Sequence, residues 1–180
     1  MRSTNLTAAV ACGALLFLCL PLAAQTATSN SDLEKRVREL QDRAALKELV
    51  DNFSILADKK DVHAQVQLFT ADATLEPVVN GKSAGVLKGR DQMEHTFGPF
   101  LNTFQTVYHF NGQQTVTLDG DRASGISYCT VTLIATQNGK RVRTTMGVHY
   151  QDEFVRENGR WLIAKRMSIF DWQDRQDVNE

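Results

Sequence analysis

Residues 105–172 read QTVYHFNGQQTVTLDGDRASGISYCTVTLIATQNGKRVRTTMGVHYQDEFVRENGRWLIAKRMSIFDW. Three turn signals, Gly120-Asp121, Asn138-Gly139 and Asn158-Gly159, punctuate this stretch, and apolar and polar residues alternate between them. Asn-Gly pairs favour the positive φ angles that a two-residue hairpin needs, so each marks a chain reversal. The spacing predicts four strands of about 11 to 16 residues joined as a meander. Such short connections leave no room for crossover helices, which makes the sheet antiparallel rather than doubly wound.

Strand parity places side chains on the third of these strands. Val142, Met146, Val148, Tyr150 and Phe154 share one face, while Arg141, Arg143, Thr145, His149, Gln151 and Glu153 take the other. His149 therefore points away from the apolar interior. Asp152 falls on the apolar face. An ionised carboxylate is costly there, so it either lies at a solvent-exposed strand end or belongs to a polar site.

Upstream of the meander the period is helical. Ser31-Asp32-Leu33-Glu34 has the spacing of a capping box, and Leu33, Val37, Leu40, Ala44, Leu46, Leu49, Val50, Phe53 and Leu56 continue from it at helical intervals, as one long helix or two abutting ones. Its charged residues, Glu34 to Lys47, read as a solvated face. Asp61 can cap a second, short helix through Phe69. Thr74–Val79 and Ala84–Lys88 flank Asn80-Gly81, a further hairpin signal. Met93, Phe97, Phe100, Leu101 and Phe104 predict a third helix over Asp91–Phe104, with Gly98-Pro99 expected to bend or break it. Helices first and a large sheet after make an α+β domain, in which N-terminal helices pack against a curved antiparallel sheet.

The first segment is different. Arg2, the apolar run Ala8 to Leu20, Pro21 and the small residues Ala23-Ala24 have the layout of a secretory signal peptide, with cleavage expected after Ala24. The run is shorter than the roughly 20 residues of a membrane-spanning helix, so no span is expected after processing and the protein is expected to be exported. Residues 25–30, small and polar, read as a tether, residues 31–172 as the domain and residues 173–180 as a polar tail. Of three cysteines, Cys12 and Cys19 leave with the leader and Cys129 stays, so the exported domain relies on its core without an internal disulfide.

Twenty Lys and Arg against 21 Asp and Glu give a net charge of -1 in 180 residues. That balance offers no compositional support for binding nucleic acid or anionic membranes. The histidines, His63, His95, His109 and His149, lack the close spacing of metal ligands, so no metal is expected. A Gly-rich phosphate loop, a G-x-S-x-G elbow and a CxxC pair are all missing, and no cofactor is expected.

Several short features, in order, resemble the SnoaL-like branch of the nuclear transport factor 2-like superfamily. They are Ala44–Val50, Ala57–Asp61, Leu68-Phe69-Thr70-Ala71-Asp72-Ala73, Gly85–Arg90, Tyr108–Asn111, Gly120–Ala123, Gly147–Asp152 and Gly159–Ile163. The resemblance spans about Leu40 to Phe170. It implies a cone-shaped fold in which a strongly bent antiparallel sheet wraps around the helices, leaving an apolar cavity open at one end. It also implies a homodimer through the outer sheet face. Dehydratase-like members, scytalone dehydratase and bile-acid dehydratases among them, place an Asp at the end of the first long helix opposite a His on the first long meander strand. Asp58 and His109 match those positions. A neutral imidazole can take a proton alpha to a carbonyl or beta to a leaving group, and a carboxylate on its other nitrogen fixes the tautomer. Phe53 stands where a bile-acid dehydratase has a catalytic tyrosine, and an apolar residue near Leu133 replaces a second histidine of scytalone dehydratase. The resemblance thus implies a cofactor-independent lyase or isomerase acting on a small apolar molecule. Asp58 and His109 would be catalytic; Phe53, Tyr128, Tyr150 and Asp152 would line the site, Tyr128 or Tyr150 supplying a phenol donor. The same fold also hosts non-catalytic carriers, and a binding module for a hydrophobic ligand is the alternative.

Overall fold

A computed structural model describes residues 22–178, with side chains from Ser29 onward. The expected leader lies outside the described residues except for its last three, and so do the last two residues of the expected tail. The chain divides into two units, residues 1–37 and residues 38–180. In the first unit the described residues are helical, with Leu33 and Val37 exposed.

Helix α1 spans Leu22–Asp58. It begins before Ser31, so the expected capping box is helix interior and the expected tether at residues 25–30 is helical. Gln25–Asn30 contains no Gly or Pro, and nothing in its backbone opposes a helix. In the second unit α1 buries Leu46, Leu49, Val50, Phe53 and Ala57, the i, i+3, i+4, i+7 pattern of one helical face. Its charged side is not wholly solvated. The Asp42 carboxylate accepts from Trp161 Nε1 at 3.1 Å and Arg156 Nη2 at 2.7 Å.

Lys60 turns the chain with φ 57°. Helix α2 follows at Val62–Val66, capped by Asp61, whose side chain accepts from the Ala64 amide at 3.1 Å. Strand β1, Phe69–Val79, pairs through the Asn80-Gly81 turn with β2, Lys82–Ser83, and also with β3, Leu87–Lys88. Helix α3 runs from Gly89 to Asn102 and continues through Gly98-Pro99, where a bend or break was expected. Pro99 lies in the last turn, and Gly98 has no Cβ to clash with the proline ring.

The meander consists of β4 (Thr106–Asp119), β5 (Arg122–Gln137), β6 (Lys140–Glu157) and β7 (Arg160–Asp177). β4 and β5 have the expected length, while β6 and β7, at 18 residues each, are longer than expected. Residues 173–177 of the predicted tail belong to β7 and pair with β6. Both Asn-Gly turns have two successive positive φ angles, as the sequence reading required. The strand order is β2-β1-β7-β6-β5-β4, a curled and unclosed sheet. One pairing departs from the antiparallel expectation: β1 and β7 run parallel, with Leu75 beside Arg166 and Val79 beside Phe170. Helix α3 and strands β4 to β6 lie between the two in sequence, enough chain for β7 to return parallel to β1. The inner sheet face and the apolar faces of α1, α2 and α3 form one core. No described helix is long and apolar enough to cross a membrane.

Candidate active site

A cavity of about 360 Å³ opens between α1, α2, α3 and the inner sheet face. Its walls are largely apolar, with Phe53 from α1, Phe97, Phe100 and Leu101 from α3, and Val131, Leu133, Met146 and Val148 from β5 and β6. Phe53 organises the aromatic part. Its ring meets Phe69, Phe97 and Tyr150 edge-to-face, with centroids 5.9, 6.4 and 6.0 Å away, a favourable arrangement for π quadrupoles.

His109 lines this cavity from β4, and Asp58 ends α1 beside it. His109 Nδ1 lies 2.6 Å from Asp58 Oδ1, and the His109 backbone amide donates to Oδ2 at 3.2 Å. Two donors on one residue thus hold the carboxylate. Because a carboxylate only accepts, Nδ1 carries the hydrogen and Nε2 is left as the acceptor of a neutral ring. Among the described residues Nε2 has no hydrogen-bond partner. The imidazole is nearly enclosed, with 8% of its side chain exposed against 26% for Asp58.

Behind Phe53 and Tyr150 sits a charge that the sequence reading did not single out. Arg166 on β7 is fully buried and bonds Asp152 through Nε at 2.8 Å and Nη2 at 2.7 Å. Its guanidinium carbon lies 4.3 Å from the Phe53 ring centroid and 4.2 Å from that of Tyr150. Burial works against this charge, and the Asp152 carboxylate more than offsets it, raising the arginine pKa. Asp152 does lie on the inner face, but Arg166 occupies it, so it supports the wall instead of lining the cavity. Tyr150 lines the cavity, with its hydroxyl beside the Cys129 thiol. Burial pushes the phenol pKa up, so Tyr150 stays protonated and able to donate.

Tyr128 is elsewhere. It lies on the outer sheet face, 46% exposed, against the ring of His149, 5.7 Å between centroids. His149 Nδ1 is 2.7 Å from Asp171 Oδ2. The expected orientation of His149 therefore holds, and Tyr128 is removed from the cavity because it alternates with the inward residues Cys129 and Ser127.

Residues 38–167 match the profile of the SnoaL-like domain. The chain belongs to this family. The SnoaL-like chain is 26% identical over 132 residues to the uncharacterised protein Rv2910c of Mycobacterium tuberculosis, covering 73% of this chain and 86% of that protein. Its fold is similar to that of a candidate scytalone dehydratase from Novosphingobium aromaticivorans, with TM-score 0.67, 18% identity and coverage of 78% and 91% of the two chains. It is likewise similar to a type 2 hexachlorocyclohexane dehydrochlorinase, LinA, with TM-score 0.66, 17% identity and coverage of 80% and 93%.

Further residues hold the site of this SnoaL-like domain in place. Asn111, two positions after His109 on β4, donates to Asp51 Oδ1 at 2.9 Å and to the Val50 carbonyl at 3.3 Å, and its Oδ1 accepts from Ser54 Oγ at 3.0 Å. All three partners lie on α1. These bonds lock the helix carrying Asp58 to the strand carrying His109. The sequence signal was present but faint: Asn111 has the same strand parity as His109, a polar residue in an inward position.

Proposed function

We propose that this SnoaL-like domain is an enzyme, a dehydratase-type lyase or an isomerase that moves a proton on a small, largely apolar molecule without a cofactor. The observation that carries this reading is the 2.6 Å contact of Asp58 with His109 Nδ1, which leaves Nε2 as the base beside an apolar cavity. In an elimination, Nε2 takes a proton from carbon, the C–H electrons form the double bond, and the leaving group departs from the neighbouring carbon. The imidazolium then returns its proton to a departing hydroxide as water, or, in an isomerisation, to another carbon. Asp58 stabilises the imidazolium in between. Tyr150, kept protonated, is suited to donate to a carbonyl oxygen where charge develops. Exclusion of water by the phenylalanine walls strengthens each of these interactions.

In this reading the protein acts after export, with residues 1–24 removed, and as a homodimer through the outer sheet face, where Tyr108, Phe110, Tyr128 and Trp172 are exposed. N-terminal sequencing and sedimentation of the recovered protein check both. The apolar lining favours one second reading, a carrier in which Asp58 and His109 only orient a hydrophobic ligand. Mass spectrometry of small molecules bound to the purified protein, before and after incubation, separates the two: a carrier returns its ligand unchanged. For an enzyme, His109→Ala is expected to lower turnover of that molecule about 10²- to 10⁴-fold, and Asp58→Asn to lower it as well. Full turnover in both variants sinks the dyad mechanism.

A further inference from the structure

The cavity wall is apolar almost throughout, and most of its polar atoms are committed elsewhere. Thr96 Oγ1 donates to the Gln92 carbonyl at 2.8 Å, the Gln65 amide donates to the Phe53 carbonyl at 3.0 Å, and the Tyr150 hydroxyl lies beside the Cys129 thiol. Ser168 is different. It lines the cavity from β7 and is 8% exposed. Its hydroxyl makes no hydrogen bond to a described residue, yet it is not sealed off: the sealed, unpaired side-chain atoms among the described residues are Gln65 Oε1 and Arg166 Nη1. Tyr150 on β6 and Pro77 on β1 flank Ser168, and Arg166 and Phe170 precede and follow it on the same inner face. What is left open of Ser168 therefore opens to the cavity. An alanine would fill the same place in the wall with no polar atom to desolvate, so the fold itself has no use for this hydroxyl.

We propose that Ser168 is a substrate-binding residue: its Oγ donates a hydrogen bond to an acceptor atom of the molecule in the cavity and so fixes which carbon faces His109 Nε2. This rests on the reading of the cavity as a site where His109 acts on a small, largely apolar molecule. The apolar walls hold such a molecule without choosing its orientation, since burial of hydrocarbon is non-directional. Direction comes from a few placed polar contacts. Ser168 on β7 and His109 on β4 have β6 and β5 between them, so they address the cavity from separate parts of the curled sheet. Contacts at two separate points remove the rotation that one contact leaves. The serine side chain is short and stands on a strand paired on both sides, so little freedom is lost when it binds.

Acetophenone and α-methylstyrene have nearly the same shape and differ in a carbonyl oxygen against a methylene, so their comparison isolates the acceptor. Titration of the whole protein with each at pH 7, followed by backbone amide NMR shifts, gives the ratio of the two affinities in the wild type and in Ser168→Ala. Comparing these ratios cancels the difference in hydration between the probes. The ratio is expected to move about three- to tenfold against acetophenone in Ser168→Ala, through weaker acetophenone binding alone. Wild-type binding of α-methylstyrene by the variant establishes that fold and cavity are intact. A ratio that Ser168→Ala leaves unchanged overturns the assignment, whether both probes keep their affinity, which gives any carbonyl preference to Tyr150, or both lose it equally, which reports a change of cavity shape. Failure of the wild type to bind either probe overturns the reading of the cavity as a site for apolar molecules and this inference with it, whereas binding of both with an unchanged ratio overturns only the inference.

Discussion

Asp152→Leu should be among the most damaging single changes in the domain, although Asp152 touches nothing in the cavity. Both members of the Asp152–Arg166 pair have fully buried side chains, and two bonds of 2.8 and 2.7 Å join them. Removing the carboxylate leaves a guanidinium that cannot shed its charge, enclosed by Phe53 and Tyr150. Breaking a buried pair in this way costs about 3–5 kcal/mol. For a domain of this size each kcal/mol lowers the melting temperature by about 2–4 °C, so the midpoint should fall on the order of 10 °C. The companion variant Asp152→Leu/Arg166→Met replaces the pair with apolar groups and should recover most of the loss, because desolvation of both charges is then avoided. Urea unfolding followed by fluorescence of Trp161 and Trp172 measures all three proteins. A loss of less than about 1 kcal/mol in Asp152→Leu would refute the reasoning, since it would mean that water reaches the arginine. A double variant as unstable as the single one would assign the energy to stacking on Phe53 and Tyr150 instead of to charge.

Two other expectations follow from packing and burial. The Cys129 thiol is pushed up to about 11, first by burial; the folded domain therefore holds that proton while the unfolded chain releases it near 9. The contribution to stability is complete below about pH 9 and is lost as pH rises through about 11, so denaturation midpoints should fall over that window, and iodoacetamide at pH 8 should label Cys129 only on unfolding; equal labelling of the native protein would contradict this. A Cβ on Gly147 would lie 2.0 Å from Trp172 Nε1, so Gly147→Ala should displace the indole, destabilise by about 1–3 kcal/mol and change the near-ultraviolet circular dichroism; an unaltered spectrum would contradict the packing.

Much of the architecture is legible locally. Gly120, Asn138-Gly139 and Asn158-Gly159 do mark the reversals, because the positive φ angles they adopt are accessible chiefly to Gly and Asn. Alternation along β6 correctly put Asp152 inside and His149 outside. What it could not supply was the partner of Asp152, which comes from the neighbouring strand. Arg166 is hidden from parity counting: Ile163 pairs with Phe154 and Lys165 with Glu153, leaving Ala164 as an extra residue. That bulge reverses the alternation and turns Arg166 inward. Counting on from Ile163 without it would have placed Lys165 in the core. Asp171 is the extra residue of a second bulge, between the partners of Gly147 and Val148, where it reaches His149.

The candidate site divides along the same line. Motif order was enough to single out Asp58 and His109, and helical periodicity alone put Phe53 in the core. Assigning Tyr128 to the cavity ignored its alternation with Cys129 and Ser127, and the structure moves it to the opposite face. Gln65 looked like an ordinary polar residue of a short helix, and only packing shows it buried with an acceptor unpaired.

By itself the sequence determined the turns and the helical and alternating stretches, because these depend on backbone preferences and hydrophobic period within a few residues. The tertiary structure alone decided that Asp58 meets His109, that Arg166 neutralises Asp152, and that Gln65 is buried against the Phe53 carbonyl. Each of those depends on strand register, bulges and curl, and they follow from the packing of the whole sheet on its helices, which no local stretch of chain encodes.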